Sequence, residues 1–157
     1  MGNMFNDIRF GGYLIWKFYP QKQVFIDGRL VIRSPRFFAD FLAVCKYPEL
    51  FDTVAKRYSI THVILPTAIF DQYHSLIQKL YKSSDWRIEY TDGASVLFVK
   101  SNIPNRSYIN LSDTLVIRKI AEEIKEAWKS DTAVQKEALG YFADQLKLFN
   151  IANKSVL

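Results

Sequence analysis

The residue types and spacing that could do chemistry begin with the triplet Asp27-Gly28-Arg29. This triplet ends a short apolar run, residues 23–27, which is typical of a buried strand. In open α/β sheets, ligands bind at the carboxyl ends of the strands, where a carboxylate beside a guanidinium can hold a polar group. An alternative interpretation is a turn in which Asp27 accepts backbone N–H groups and Arg29 is a solvated charge.

Asp92 is the other acidic candidate, and it lies in the turn Thr91-Asp92-Gly93. The alternating residues 86–90 and the apolar residues 94–100 flank this turn and predict a β-hairpin. Asp also favours turns for its local hydrogen bonds, and it can pair with Asp27 only if the sheet brings both acids together. The sequence therefore predicts ligand-binding residues Asp27, Arg29 and Asp92, and no catalytic residue.

The other reactive residue types form no recognisable catalytic or metal-binding motif. The two histidines are His62 and His74, the single cysteine is Cys45, and no carboxylate lies at triad or metal-ligand spacing from them. Gly11-Gly12 matches neither the P-loop nor the dinucleotide fingerprint, so we expect a turn or close packing there. The sequence predicts no metal site and no cofactor, with His62 and Cys45 packed into the fold.

Composition and charge narrow the class of protein. A chain of 157 residues with 49% hydrophobic and 24% charged residues is a globular domain, or one domain with a small appendage. Residues 1–36 carry +4 of the net charge of +5, which favours an acidic partner or lipid surface. These charges are scattered rather than clustered, so we do not expect nucleic-acid binding.

Aromatic residues make up 15% of the chain, and four of them lie close together near its start: Tyr13, Trp16, Phe18 and Tyr19. They can form a membrane-interface patch beside the basic residues. The favoured interpretation is that they fill the core, on a short buried helix over 13–19 that ends at Pro20. A strand over the same residues is the competing interpretation. No stretch reaches the roughly 18 apolar residues of a membrane span, so we expect the isolated chain to be soluble.

The pattern along the chain predicts an α/β fold with a small mixed sheet of four to five strands flanked by helices. Strands are expected at 23–27, with a possible extension through Leu30-Val31-Ile32, at 61–65, and in the hairpin. Helices are expected at 36–46, 48–58 and 71–81. The sequence strand–helix–strand between 23–27 and 61–65 predicts a right-handed crossover with parallel pairing.

Beyond a polar linker at 101–110, two amphipathic helices are predicted to form an appended antiparallel helical hairpin. Ser112 or Asp113 caps the first helix, and Ser130 or Asp131 caps the second. The predicted apolar stripes are Val116, Ile120, Ile124, Ala127 and Trp128 on the first helix, and Val134, Ala138, Phe142, Leu146 and Phe149 on the second. We predict an α/β domain at 1–103 and a helical appendage at 104–157 packed on it or on a partner.

Residues 5–100 resemble the extracytoplasmic C-terminal domain of bacterial multi-pass membrane proteins that are similar to GT-C glycosyltransferases of the protein mannosyltransferase-like kind. The resemblance rests on Asn6-Asp7, Gly11-Gly12-Tyr13-Leu14-Ile15-Trp16, Pro20 and Val24-Phe25-Ile26-Asp27-Gly28-Arg29. Further matching positions are Phe37-Phe38, Asp40, Tyr58, Val63-Ile64-Leu65, Trp86, Tyr90, Asp92 and Val96-Leu97-Phe98-Val99. It implies a module on the outer face of the cytoplasmic membrane, whose catalytic carboxylates lie in membrane loops outside this chain.

The sequence therefore predicts a non-catalytic accessory or recognition module of a membrane glycosyltransferase-like protein. Its expected partners are the membrane-embedded part of that protein or the membrane surface, with possible oligomerisation through the C-terminal helices. The alternative is a stand-alone enzyme or small-ligand binder that uses Asp27, Arg29 and Asp92 at the carboxyl edge of the sheet. A deep polar pocket at that edge would favour the alternative.

Overall fold

The computed structural model describes residues 2–29, 34–68 and 71–151, and within them the chain forms four strands and six α-helices. The strands are β1 (Asn3–Asn6), β2 (Ile60–Pro66), β3 (Trp86–Thr91) and β4 (Ser95–Lys100). The helices are α1 (Ile8–Phe18), α2 (Pro35–Lys46), α3 (Phe51–Arg57), α4 (His74–Lys82), α5 (Thr114–Ala127) and α6 (Thr132–Leu148). Short 3₁₀ turns at Pro48–Leu50 and Asp71–Tyr73 lead into α3 and α4.

The strands form one mixed sheet in the order β1-β2-β4-β3. β1 and β2 are parallel, whereas β4 is antiparallel to both β2 and β3. The carboxyl ends of β1, β2 and β3 therefore lie at the same end of the sheet. The predicted α/β class, the mixed sheet, the β3–β4 hairpin and the helices at 36–46, 48–58 and 71–81 are confirmed.

The predicted strand at 23–27 is wrong, and so is its place in the parallel crossover. β1 supplies the strand that pairs with β2, and residues 23–27 add only a bridge from Val24 to Met4. The backbone ladder to β1 ends at Phe25, whose N–H donates to Met4 O at 2.8 Å. The Asn6 side chain holds the chain beyond that point, because its Nδ2 donates to Ile26 O at 2.7 Å. The predicted extension at 30–32 lies outside the described residues.

The main core gathers many of the phenylalanines on one side of the sheet. Phe5 of β1 is fully buried, and its ring lies 4.9 Å from Phe25, 5.7 Å from Phe41 of α2 and 5.5 Å from Phe51 of α3. Such ring pairs add to the stability that burial of their area provides. The core thus ties β1, α2 and α3 together, and it positions the start of α1.

The helical hairpin α5–α6 packs on the β3–β4 hairpin through α6. Phe142 and Leu146 are buried, and Gln145 donates to Thr67 Oγ1 at 3.0 Å and to Ser95 O at 3.2 Å. At the tip of the β-hairpin, Gly93 has φ +87°, and a Cβ there would lie 2.9 Å from the backbone of Phe142. This close contact requires glycine and seats α6 directly on the turn.

The caps of the helical hairpin are as predicted, but one apolar stripe is shifted. Asp113 accepts from Leu115 N and Asp131 accepts from Ala133 N and Val134 N, which confirms both acidic N-caps. On α5 the buried residues are Ile117, Ile120, Ala121 and Ile124. Ala127 and Trp128, which were predicted for this stripe, are exposed; they are the last residue of α5 and its C-cap.

Candidate functional site

Asp27 and Arg29, the first predicted binding residues, form a compact turn. The Asp27 carboxylate is buried; it accepts from Arg29 N at 2.8 Å and from Arg29 Nε and Nη2 at 3.0 and 3.1 Å. The guanidinium itself is exposed. Both carboxylate oxygens of Asp27 thus bind Arg29, which agrees with the turn interpretation. They also fix the orientation of the Arg29 guanidinium.

A second Asp-x-Arg turn lies beside the first, at Asp7-Ile8-Arg9. Asp7 caps α1 and accepts hydrogen bonds from Arg9 N, Nε and Nη2 at 2.9, 2.6 and 3.1 Å. It also accepts a hydrogen bond from the Tyr73 hydroxyl at 2.7 Å. Burial by itself raises the pKa of Asp7, but the hydrogen bonds from Arg9 and Tyr73 outweigh it and leave the pKa below its ordinary value. Asp7 therefore stays ionised and holds the start of α1.

Close packing joins these two turns into one corner of the molecule. A Cβ on Gly11 of α1 would lie 2.3 Å from Ile26 O and 2.6 Å from the Asp27 Cα and Cβ, so only glycine fits there. Asn6 links β1 to the same segment through its hydrogen bond to Ile26 O. Asp7 and Arg9 were not among the predicted binding residues, although the Asp-x-Arg spacing of Asp27 and Arg29 is repeated at Asp7 and Arg9.

Four aromatic residues between positions 13 and 19 were predicted to fill the core, and this prediction is wrong for three of them. Tyr13, Trp16 and Tyr19 are 61%, 76% and 73% exposed, whereas Phe18 is partly buried in a small cluster with Leu14. The reason is the helical period: Gly11, Leu14 and Phe18 lie on the face toward the sheet, which leaves positions 13, 16 and 17 outward. We call Tyr13, Trp16, Lys17 and Tyr19 the α1 aromatic face.

The sheet does not bring Asp92 and Asp27 together. Asp27 follows the segment that bridges the outer side of β1, and Asp92 follows β3 at the opposite edge, about 19 Å away across four strand spacings. Asp92 Oδ1 caps the β-hairpin by accepting from Ala94 N at 3.0 Å and Ser95 N at 2.8 Å. The three predicted residues therefore form two separate sites at the same end of the sheet.

Asp92 lies at the rim of a cavity of about 510 Å³ between the β-hairpin and the helical hairpin. Its walls come from three segments: the turn after β3, the second half of α5 and the first half of α6. Apolar side chains, including Ile120, Ile124 and Ala138, form much of the lining. The remaining lining includes the rings of Tyr90, Trp128 and Tyr141 and the carboxylates of Asp92, Glu123 and Glu137. We call this site the acidic cavity.

Of the residues that line the acidic cavity, only Asp92 was predicted from the sequence to bind a ligand. Tyr90 and Trp128 are about half exposed, and the Tyr141 hydroxyl donates to Glu137 Oε1 at 2.6 Å. Burial raises the pKa of Tyr90, and the carboxylates of Asp92 and Glu123 raise it further. Two acidic groups thus act on the same phenol at the cavity.

His62 and Cys45 are packed groups, as the sequence predicted. Burial lowers the pKa of His62 to about 4, and Lys22, with its Nζ 3.0 Å from Nε2, lowers it further, as does Arg106. Burial also raises the pKa of Cys45 to about 12, so its thiolate does not form at neutral pH. Within residues 2–29, 34–68 and 71–151, no three His, Cys, Asp or Glu side chains cluster as metal ligands.

Comparison with protein-family models, curated proteins and solved structures found no match to this chain. Among the helices that the structure describes, none combines the length and apolar character needed to cross a membrane.

Proposed function

We propose that this chain is a non-catalytic recognition module that accompanies a membrane-embedded glycosyltransferase-like protein on the outer side of the bacterial cytoplasmic membrane. In this role it binds the anionic lipid surface through the α1 aromatic face. The observation that carries the proposal is the exposure of that face: Tyr13 and Trp16 on α1, and Tyr19 directly after its last residue, are all exposed.

The chemistry of the α1 aromatic face suits a lipid interface. Tyr13 and Trp16 are neighbours on the helix, with ring centroids 5.8 Å apart, and Tyr19 follows at the C-terminal end of α1. Tyrosine and tryptophan concentrate at membrane interfaces because each presents an apolar ring with a polar group that stays hydrated. Exposed rings that lie together mark a candidate interaction surface, and their chemistry supports an apolar partner.

Positive charge accompanies these rings. Lys17 lies on the same outward side of α1, and Arg9, one turn before Tyr13, is exposed while held by Asp7. Residues 1–36 carry a net charge of +4. Each basic residue near an anionic leaflet contributes about 1 kcal/mol to binding, so the charge complementarity favours anionic over neutral lipid.

The buried polar groups behind α1 support a structural rather than a catalytic role for the residues that carry the family resemblance. Asn6, Asp7, Gly11 and Asp27 bind or pack against one another and fix how α1 leaves the sheet. The carboxylates of Asp7 and Asp27 bind the side chains and backbone N–H groups of Arg9 and Arg29. They therefore act as the support of the α1 aromatic face.

Vesicle binding tests the lipid part of the proposal. The full chain is mixed with extruded vesicles of phosphatidylcholine alone or with an equal share of phosphatidylglycerol, and the bound fraction is measured by co-sedimentation. We expect binding to the anionic vesicles that weakens as salt rises, because salt screens exposed charges. Equal partitioning into both vesicles would remove the lipid role.

Two tryptophan variants make the test specific. Trp16→Ala is expected to lower the vesicle partition coefficient at least about fivefold, because an interfacial ring is lost. Trp128→Ala removes an exposed tryptophan far along the chain and is expected to leave partitioning unchanged.

The accessory role has its own expectation: the reading frame encoding this chain also encodes several membrane-spanning helices, and a frame without them would contradict it.

A further inference from the structure

The acidic cavity lies outside the proposed lipid-binding face and has a chemistry of its own. At about 510 Å³ it has the size of a small-molecule site, and it is an open cavity bordered by the turn after β3 on one side and by α5 and α6 on the others. Because α6 is fixed to the β-hairpin through Gln145 and the contact with Gly93, these walls are held in place before any ligand arrives.

The aromatic groups of the cavity are arranged on all three walls. Tyr90 comes from the strand end, Trp128 from the end of α5 and Tyr141 from α6. Three rings around one volume can each offer an electron-rich face, and such rings attract ammonium cations within about 6 Å of the ring centre. An apolar ligand body can meanwhile pack on Ile124 and Ala138 below them.

The charged groups of the cavity have one sign. Asp92, Glu123 and Glu137 line it, and its lining within the described residues includes no Lys or Arg. Lys119 lies 3.8 Å from Glu123, but both side chains are largely exposed, so this pair is weak and screened. Glu137 accepts from Tyr141 Oη, which orients the carboxylate without neutralising it.

From these rings, carboxylates and apolar walls, we infer that the acidic cavity binds an organic ammonium cation with an apolar body. The charge complementarity selects this ligand class over a neutral or anionic compound of the same shape. The inference does not depend on lipid binding by α1, since the cavity lies at the opposite edge of the sheet.

A series of three ligands with one phenyl ring and a two-carbon chain tests the charge preference. 2-Phenylethylammonium, 2-phenylethanol and 3-phenylpropionate carry charges of +1, 0 and −1, and each is titrated into the full chain while the backbone amide shifts are followed by NMR. We expect saturable shifts at β3, α5 and α6 for the cation and an affinity at least about fivefold lower for the alcohol. The carboxylate is expected not to bind.

Variants assign the binding to the cavity. Glu137→Gln keeps the side-chain size and is expected to lower the affinity for 2-phenylethylammonium about threefold to tenfold. Its effect on the affinity for 2-phenylethanol should be smaller. Glu122→Gln, on α5 but outside the cavity lining, is the matched control and is expected to leave the affinity unchanged. Trp128→Ala is expected to weaken the cation by a similar factor, and circular dichroism checks that each variant is folded.

Four outcomes would overturn the inference. Equal affinity for all three ligands would make the cavity a purely apolar pocket, and no binding of the cation would remove the site. Tighter binding of a neutral hexose than of the cation, measured in the same titration, would assign the cavity to carbohydrate. Shifts of the cavity amides that depend on protein concentration alone would assign it to a second copy of the chain.

Discussion

The α1 aromatic face and the acidic cavity use the same ring types in opposite electrostatic surroundings. Tyr13, Trp16 and Tyr19 stand on a convex helix surface near Lys17, whereas Tyr90, Trp128 and Tyr141 surround a concave volume lined with carboxylates. Under the two proposals, the first binds an extended lipid surface and the second binds a compact molecule. Because the ring types are the same, the ligand proposed for each cluster follows from the charge and curvature around it.

The two regions also differ in what holds them. The α1 aromatic face depends on the corner formed by Asn6, Asp7 and Gly11, where polar side chains fix the exit of the helix from β1. The acidic cavity depends on apolar docking of α6 through Phe142 and Leu146. Substitutions at these supports should therefore damage one region and spare the other.

The largest expected effect follows from removing the anchor of the helical hairpin. Phe142→Ala deletes a fully buried ring and is expected to cost about 3–5 kcal/mol of the free energy of unfolding, measured by urea denaturation. Under conditions where the variant remains folded, binding of 2-phenylethylammonium should be lost while vesicle binding persists. Leu115→Ala, at an exposed position of α5, serves as the control, with a change within about 0.5 kcal/mol.

A smaller effect is expected at the corner that supports α1. Asp7→Asn removes a buried charge that accepts from Arg9 and Tyr73, and it is expected to cost about 2–3 kcal/mol at pH 7. The pKa of Asp7 is lowered in the folded protein, so its stabilising effect is complete above the ordinary carboxyl pKa and is lost as pH falls through the lowered value.

Urea denaturation of the wild type and Asp7→Asn at pH 7 and at pH 3 checks this sign. The difference in free energy of unfolding between the two proteins should shrink at the lower pH. A difference that grows at pH 3 would show that the Asp7 carboxylate is not stabilised by its partners. Asp144→Asn, on the exposed face of α6, is a control that should change little at either pH.

The smallest expected effect concerns charge alone. Lys17→Gln is expected to lower the partition coefficient for anionic vesicles about fivefold, because the binding free energy loses about 1 kcal/mol. Partitioning into neutral vesicles should stay the same. Lys119→Gln, at an exposed site on α5, should partition like the wild type. If both lysine variants lost the same affinity, the attraction would come from net charge, and the α1 aromatic face would have no special role.

Much of the fold could be predicted because its elements have strong local patterns. The α2 repeat of Phe37, Phe41 and Val44 and the β-hairpin around Gly93 are set by spacing and turn chemistry. β1 was missed because a four-residue strand with asparagine at both ends has no apolar period to recognise. The segment 23–27 looked like a strand because residues 24–26 are apolar, yet its backbone pairs with β1 only around Val24, and the Asn6 side chain binds Ile26 O beyond it.

The candidate sites were less predictable, for a physical reason. Asp27 and Arg29 are neighbours in sequence, so their turn could be foreseen from local chemistry. The acidic cavity joins residues from about 90 to 141, and only the docking of α6 on the β-hairpin brings Asp92 near Glu137. The exposure of Trp16 could have been read from the helical period if the helix had been placed at Ile8 rather than Tyr13.

The fluorescence of Trp16 tests the lipid-binding claim most directly. In Trp128→Phe the remaining tryptophans are Trp16, which is 76% exposed, and Trp86, which is 3% exposed and already shielded from water. We predict that vesicles containing phosphatidylglycerol shift the emission to shorter wavelength and that phosphatidylcholine vesicles do not. Emission that stays unchanged with anionic vesicles while the protein co-sediments with them would contradict the account, because the chain would then bind lipid through another surface.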